Sequence, residues 1–343
     1  METKLKMGII GTGLWGQVHA EIYSTHAVTE LTAVCDLDKA KAEEISKRFG
    51  NPEVYTDYEE MLETEKFDAV AIVTPDFAHA GPIISACKNK KHVLVEKPLA
   101  TTREDIKRIK QEVERSGITI MVDYHNRWNP PIALAKDDIL EGKLGVIMSA
   151  YYRLNDIISV PLEMLSWSEK SSILWFLGSH TVDTLRFLFD DEVSRVYSVS
   201  RSQVLKNKGL DVPDLYQTIL EFEKGIVATI ENNWIVPNSN PFINDIKCNV
   251  LGSKGMLDMD ISHNHLFQRF LETTYDHPDC IIKPRIYGKQ TGFACESIFH
   301  FIEALSSGNT PMVTLSDGIK VSEVILAVME SAEKRYPVEV KYS

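Results

Sequence analysis

No run of about 18 apolar residues occurs in this 343-residue chain, so it offers no helix able to cross a bilayer. Positive charge is also scarce. Lys and Arg total 37 against 49 Asp and Glu, a net charge of −12, and a nucleic-acid partner is excluded because phosphate binding needs a cationic surface. Cysteines number only five, at Cys35, Cys87, Cys248, Cys280 and Cys295. Their count is odd and no CxxC pair occurs, which points away from a disulfide framework and from a zinc site. Repeats and low-complexity tracts are lacking. The opening METKLKMGIIGTG passes directly into a strand pattern without the apolar core of a secretion signal, so a cytoplasmic location is expected.

What is present is a globular composition, 44% apolar and 25% charged, over a length suited to two domains. The first third alternates apolar runs (LKMGII, LTAVCD, DAVAIVT, HVLVE, ITIMVD) with amphipathic segments, among them Leu14 to Ser24, Asp38 to Phe49 and Arg103 to Ser116. Strands that are apolar throughout, separated by helices, predict a parallel sheet covered on both faces. After about Asp123 the pattern becomes β-rich, with a hairpin expected at Lys224-Gly225 and an apolar helix over Phe176 to Phe189. The predicted organisation is an α/β domain over 1–123 and an α+β domain over 124–343. The second has a mostly antiparallel sheet, and the final helices are free to pack back on the first domain.

Gly11, Gly13 and Gly16 in GTGLWG form a GxGxxG between a strand and a helix, and Asp36 ends the next strand. That context makes the triplet a dinucleotide fingerprint. Gly11 permits the tight turn, Gly13 lets a pyrophosphate approach the backbone, and Gly16 lets helix and strand pack closely. Thr12, Leu14 and Trp15 fill the same loop. The helix N-terminus supplies N–H groups and a positive dipole end. Asp36 would accept from ribose hydroxyls and repel a 2′-phosphate, so NAD is expected over NADP, although Lys39 and Lys41 stand nearby.

A second constellation is more specific. HVLVEKPLA sets Glu96-Lys97-Pro98 just past a strand, and Thr74-Pro75 ends another strand with His79 four residues on. Together with GTGLWG, VDYHNRWNP, GSHTVD and the closing helical segment, this resembles the glucose-fructose oxidoreductase/inositol dehydrogenase (Gfo/Idh/MocA) family over nearly the whole chain. The resemblance implies a Rossmann domain followed by an α+β domain with an open-faced sheet, through which the chain would form homodimers or homotetramers. It also implies NAD-dependent oxidation or reduction of a secondary alcohol on a sugar, cyclitol or sugar derivative. Thr74, Pro75, His79, Glu96 and Lys97 would line the cofactor's path. Lys97 and His180 would handle the substrate proton, with Asp183 in support.

One position departs from the family pattern. An acid is usual four residues before the catalytic-helix histidine, and Phe176 stands there instead. Either Phe176, with Trp167 or Trp175, offers an apolar platform to a sugar, or another acid substitutes. Asp156, in the loop expected after YYRLND, leads that second set, with Tyr152, His125 and Asp123 behind it. Two other activities fit the same residues: redox-neutral glycoside cleavage through transient oxidation, and a redox-silent NAD or sugar sensor. His263 and His265 in SHNH lack a third ligand in sequence, and no metal is expected.

Overall fold

The computed structural model describes residues 4–64, 67–262 and 266–343. The His263/His265 pair lies outside the described residues. The chain divides into two compact units, one running to His125 and resuming over Arg285–Ile319, the other comprising Asn126–Pro284 and Lys320–Ser343.

The first unit opens as β1 (Leu5–Ile10), α1 (Leu14–Thr25), β2 (Thr29–Cys35), α2 (Lys39–Arg48), β3 (Glu53–Tyr55) and α3 (Tyr58–Glu63). It continues through β4 (Ala69–Ile72), α4 (Ala80–Lys88), β5 (His92–Glu96), α5 (Arg103–Ser116) and β6 (Ile120–Asp123). All five strand pairings are parallel, in the order β3-β2-β1-β4-β5-β6. Progression along the sheet therefore reverses between β1 and β4, and ligands settle at the strands' carboxyl ends beside such a reversal. Local signals explain the best-defined boundaries. Thr102 caps α5 by accepting from the Asp105 N–H, and Gly117 ends it with φ of 69°. β3 and α3 have no counterpart in the sequence reading, because three and six residues are too few to show a period.

The second unit begins with α6 (Pro130–Leu140), β7 (Ile147–Asp156), α7 (Ser179–Phe189), β8 (Val193–Arg201) and the short α8 (Val204–Asn207). β9 (Leu215–Phe222), β10 (Val227–Asn233), β11 (Asn244–Gly252) and β12 (Met256–Asp260) follow, then a small pair, β13 (Arg269–Phe270) and β14 (Tyr275–Asp276). Back in the first unit are β15 (Arg285–Ile286), β16 (Lys289–Gln290) and α9 (Phe293–Ser307). α10 (Leu315–Lys334) carries the chain from one unit to the other, and β17 (Val338–Glu339) closes it.

The second unit's seven strands run β12-β11-β7-β10-β9-β8-β17, antiparallel except for β7 with β10. Burial alternates along most of their length. Tyr152, Val196, Tyr216, Leu220, Ala228, Ile230, Cys248 and Val250 are buried on one face, while Met148, Tyr197, Val199, Ile219, Val227 and Leu251 stand exposed on the other. β9 and β10 are a hairpin turning at Gly225, whose φ of 90° suits glycine. No helix among the described residues is long and apolar enough to cross a membrane.

Two expectations need correction here. The apolar helix starts at Ser179 rather than Phe176, and Leu174–Gly178 form a widened turn ahead of it. A Cβ at Gly178 would meet Leu174 at 3.0 Å and the Asn232 side-chain oxygen at 3.2 Å, so backbone and β10 crowd together where a regular turn was expected. Asp156 does not lie in a loop. It is the last residue of β7, paired with Asn244 of β11, whose side-chain amide donates to its carboxylate. α7 itself is held firmly: every residue but Phe187 is buried, and Lys136 of α6 donates to the Phe187 carbonyl at 2.6 Å, where a cation offsets the helix dipole.

Candidate functional site

Five loops of the first unit emerge from the carboxyl ends of β1, β2, β4, β5 and β6, and each carries residues singled out above. At the end of β1, Gly11 has φ of 99°, and a Cβ there would stand 2.5 Å from the Val73 carbonyl oxygen. At Gly16 a Cβ would lie 2.1 Å from the Gly11 oxygen, so α1 can start this close to β1 only without a side chain. Gly13 differs. Nothing lies within 4 Å of its missing Cβ, and the open space sits at the N-cap of α1, where no side chain caps the helix. A helix N-terminus beside an open glycine is what a pyrophosphate requires.

Asp36, after β2, is fixed from both oxygens. Oδ2 accepts from the Thr12 N–H and hydroxyl, each at 2.8 Å, and Oδ1 accepts from the Asp38 N–H at 2.9 Å. Capping of α2 falls to Asp38 instead, which accepts from Ala40 and Lys41. Asp36 is thus tied to the glycine loop rather than spent on the helix. Lys39 and Lys41 pair along α2, with Glu43 and Asp38. Leu14 points to solvent, and Trp15 stacks on His125 at 5.4 Å between ring centroids, with Phe293 of α9 5.8 Å beyond that histidine.

His79, following β4, joins two of these loops. Its Nδ1 lies 2.7 Å from the Pro98 carbonyl oxygen and its Nε2 2.9 Å from that of Thr74. A neutral ring donates only one bond, so the two carbonyls favour the charged form while complete burial and nearby Lys97 oppose it. Burial dominates and brings the pKa down to about 4. Lys97 is half-buried immediately after β5, and the Lys97–Pro98 peptide is cis.

Beneath these loops lie residues the sequence reading passed over. His19 and Tyr23 of α1, one turn apart, share a hydrogen bond of 3.0 Å from Nδ1 to the hydroxyl. Facing them are Glu96 and Asp123, adjacent in the β5–β6 register. Among the described residues, His19, Glu96 and Asp123 are the one grouping of His, Cys, Asp or Glu side chains tight enough, within 4.8 Å, to be considered for a cation. Desolvation takes the His19 ring down to about 3. A signal existed: both strands end in an acid, and parallel pairing of HVLVE with IMVD aligns them.

In the second unit, His180 is buried in the first turn of α7. Asp183, one turn later, is occupied. Arg127 grips both its oxygens, at 3.0 and 2.6 Å, with both side chains buried and the guanidinium over the Phe187 ring. Arg127 went unremarked in the sequence although it stands within HNRWNP. Phe176 is half-buried in the widened turn, between Trp167 at 6.1 Å and the fully buried Trp234 at 6.0 Å. Tyr152 is buried on the covered sheet face, where loss of solvent raises its pKa. Trp175 is buried as well.

Comparison with known proteins gives the class. Residues 5–124 match the model of the oxidoreductase family with an NAD-binding Rossmann fold, and residues 136–340 match that family's C-terminal alpha/beta domain. The chain belongs to this Gfo/Idh/MocA family of oxidoreductases, and NAD is its cofactor. Among its relatives is the scyllo-inositol 2-dehydrogenase (NAD(+)) of Bacillus subtilis, 29% identical over 99% of this chain and 97% of that one. The levoglucosan dehydrogenase of Pseudarthrobacter phenanthrenivorans is 26% identical, covering 98% of both chains. Of the solved structures, scyllo-inositol dehydrogenase from Lactobacillus casei, with NAD(H) and scyllo-inositol, superposes with a TM-score of 0.83 at 22% identity, covering 98% of this chain and 99% of that one. The relatives named here are dehydrogenases of sugars and cyclitols.

Two predictions follow from the loop geometry. Gly13→Ala should leave stability within about 0.5 kcal/mol, since its Cβ meets nothing, yet weaken NAD binding roughly tenfold or more, followed by tryptophan fluorescence. Gly16→Ala should cost about 1–3 kcal/mol in urea unfolding whether or not NAD is present. The buried histidines set an acid limit. Their folded pKa values near 3 and 4 lie below the ordinary 6.5, so the unfolded chain binds more protons. Stability conferred by neutral His19 and His79 is complete above pH 6.5 and should fall as pH drops toward 4. Urea midpoints across that range should decline less steeply in His79→Gln.

Proposed function

We propose that this enzyme oxidises or reduces a secondary alcohol on a sugar, cyclitol or sugar derivative. The carrying observation is the coexistence of an open glycine cradle tied to Asp36 with Lys97 at the carboxyl end of β5. The dehydrogenase names of full-length relatives support the same reading. A bound NAD would supply the hydride acceptor or donor for that reaction. Gly11, Thr12, Gly13, Leu14, Trp15, Gly16 and Asp36 would hold its adenosine diphosphate half, and Thr74, Pro75, His79 and Glu96 its remaining path. Lys97 would stabilise alkoxide character at the substrate oxygen, and His180 would act as acid or base toward the substrate hydroxyl. Asp183, held by Arg127, serves to fix the helix that carries His180.

Phe176 replaces a hydrogen-bond acceptor with an aromatic edge braced by Trp167 and Trp234. That arrangement suits the apolar face of a sugar ring or an aglycone. We assign substrate contacts to Phe176, Trp167, His125 and His180. Tyr152 and Asp156 are buried in the second unit's sheet. The exposed apolar face of the second unit's sheet is the surface through which we expect copies of the chain to associate.

The test is nicotinamide absorbance with NAD and a panel of inositols, sugars, anhydrosugars and glycosides. Substrate-dependent NADH should form with the native enzyme and fall roughly 100-fold or more in Lys97→Ala, while NAD binding by fluorescence persists. A flat trace accompanied by released aglycone would replace this reading with redox-neutral glycoside cleavage, and a flat trace without product would leave a sensor. In Phe176→Asp the KM for the true substrate should rise about tenfold, or about 1.4 kcal/mol. Unchanged kinetics would remove Phe176 from the substrate site.

A further inference from the structure

Glu96 and Asp123 end neighbouring parallel strands and stand opposite one another in register. Both are buried, Asp123 completely. α1 covers them with His19, whose Nε2 is 4.0 Å from Glu96 Oε1, and with Tyr23. Beyond β6, His125 Nδ1 stands 4.0 Å from Asp123 Oδ1, and the Ser297 hydroxyl of α9 faces the same carboxyl. Neither Asp123 oxygen receives a hydrogen bond of ordinary geometry. Lys97, the residue after Glu96, is a cation in electrostatic range of Asp123. His19 is held neutral by burial and offers no full charge to offset two carboxylates.

We propose that Glu96 and Asp123 share a single proton, and that the pair presents one fixed negative charge to Lys97. Two ionised carboxylates side by side without solvent repel strongly, and one proton between them removes that repulsion while keeping a net charge of −1. Desolvation first, and the charge of Glu96 second, hold the Asp123 carboxyl well above its usual range, while Lys97 and Ser297 act in the opposite sense. Tyr23 is pushed up by the same burial and by both acids, so it stays a neutral phenol beside them. The pair is a positioning device that acts by holding Lys97 as an ammonium ion. That consequence rests on the role given to Lys97 above, whereas the shared proton does not.

The experiment is carbon NMR of the full-length protein labelled at aspartate side-chain carboxyl carbons, without cofactor. One aspartate resonance should remain at the protonated position at pH 7 and vanish in Asp123→Asn. In Glu96→Gln the Asp123 resonance should move to the ionised position, because the proton no longer has two carboxyls to bridge. An Asp123 resonance already ionised in the native protein, or one still protonated in Glu96→Gln, would overturn the sharing. The native titration by itself reveals whether any aspartate stays protonated, so this arm survives if a variant fails to fold. For Lys97, reductive methylation with labelled carbon reports its own titration, assigned by Lys97→Arg. The midpoint should fall by about one pH unit or more only in the double variant Glu96→Gln/Asp123→Asn. A midpoint that falls equally in the single variants, or in none, would show that the pair does not set the charge of Lys97. Neither readout uses turnover, so failure here is distinct from failure of the dehydrogenase assay.

Discussion

The constraint on which the first unit depends is the parallel registration of its strands. Parallel strands end together, and every loop that leaves their carboxyl ends is delivered to one edge of the sheet. Gly11 to Gly16, Asp36, Thr74 to His79, Glu96 to Pro98 and Asp123 to His125 share that edge for this reason alone. The reversal of strand order between β1 and β4 then leaves a place where two loops diverge and a ligand can lie. Side-chain links tighten the edge further. Thr12 ties to Asp36, and His79 ties the loop after β4 to the one after β5.

The second unit solves a different problem with the same economy of contacts. Its sheet buries one face and exposes the other, and α7 lies almost wholly within the buried layer. A buried helix bearing His180 and Asp183 needs its polar groups satisfied, since an unpaired buried carboxylate is costly. Arg127 meets Asp183 with two hydrogen bonds, Lys136 meets the helix's last carbonyls, and Asn232 bridges the Leu154 carbonyl and the Thr181 hydroxyl. These partners keep α7 in one place.

Much of this was legible beforehand, for identifiable reasons. A parallel strand covered on both faces is apolar throughout, so LKMGII, DAVAIVT and HVLVE could be read directly. α5 matched from Arg103 to Ser116 because Thr102 and Gly117 mark its ends chemically. The glycine fingerprint was readable because its demands are steric and local: a positive φ at Gly11 and no room for a Cβ at Gly16. The widened turn before α7 was not, since Leu-Trp-Phe-Leu carries the same helical period either way. Asp156 was misplaced because a strand's last residue and a loop's first look alike until a partner strand, here β11, is in view.

By itself the sequence determined the class of sheet, the dinucleotide loop, and the family to which Lys97 and His180 belong, because those rest on short-range patterns of size, polarity and spacing. Tertiary structure alone decided which polar groups are spent and which are available. Asp183 is committed to Arg127, Asp156 to Asn244, and Asp36 to Thr12, pairings that span 24 to 88 residues of chain. It also set Glu96 beside Asp123. Register between strands is fixed by packing over the whole sheet, and no local pattern encodes what a buried carboxyl will face once water is gone.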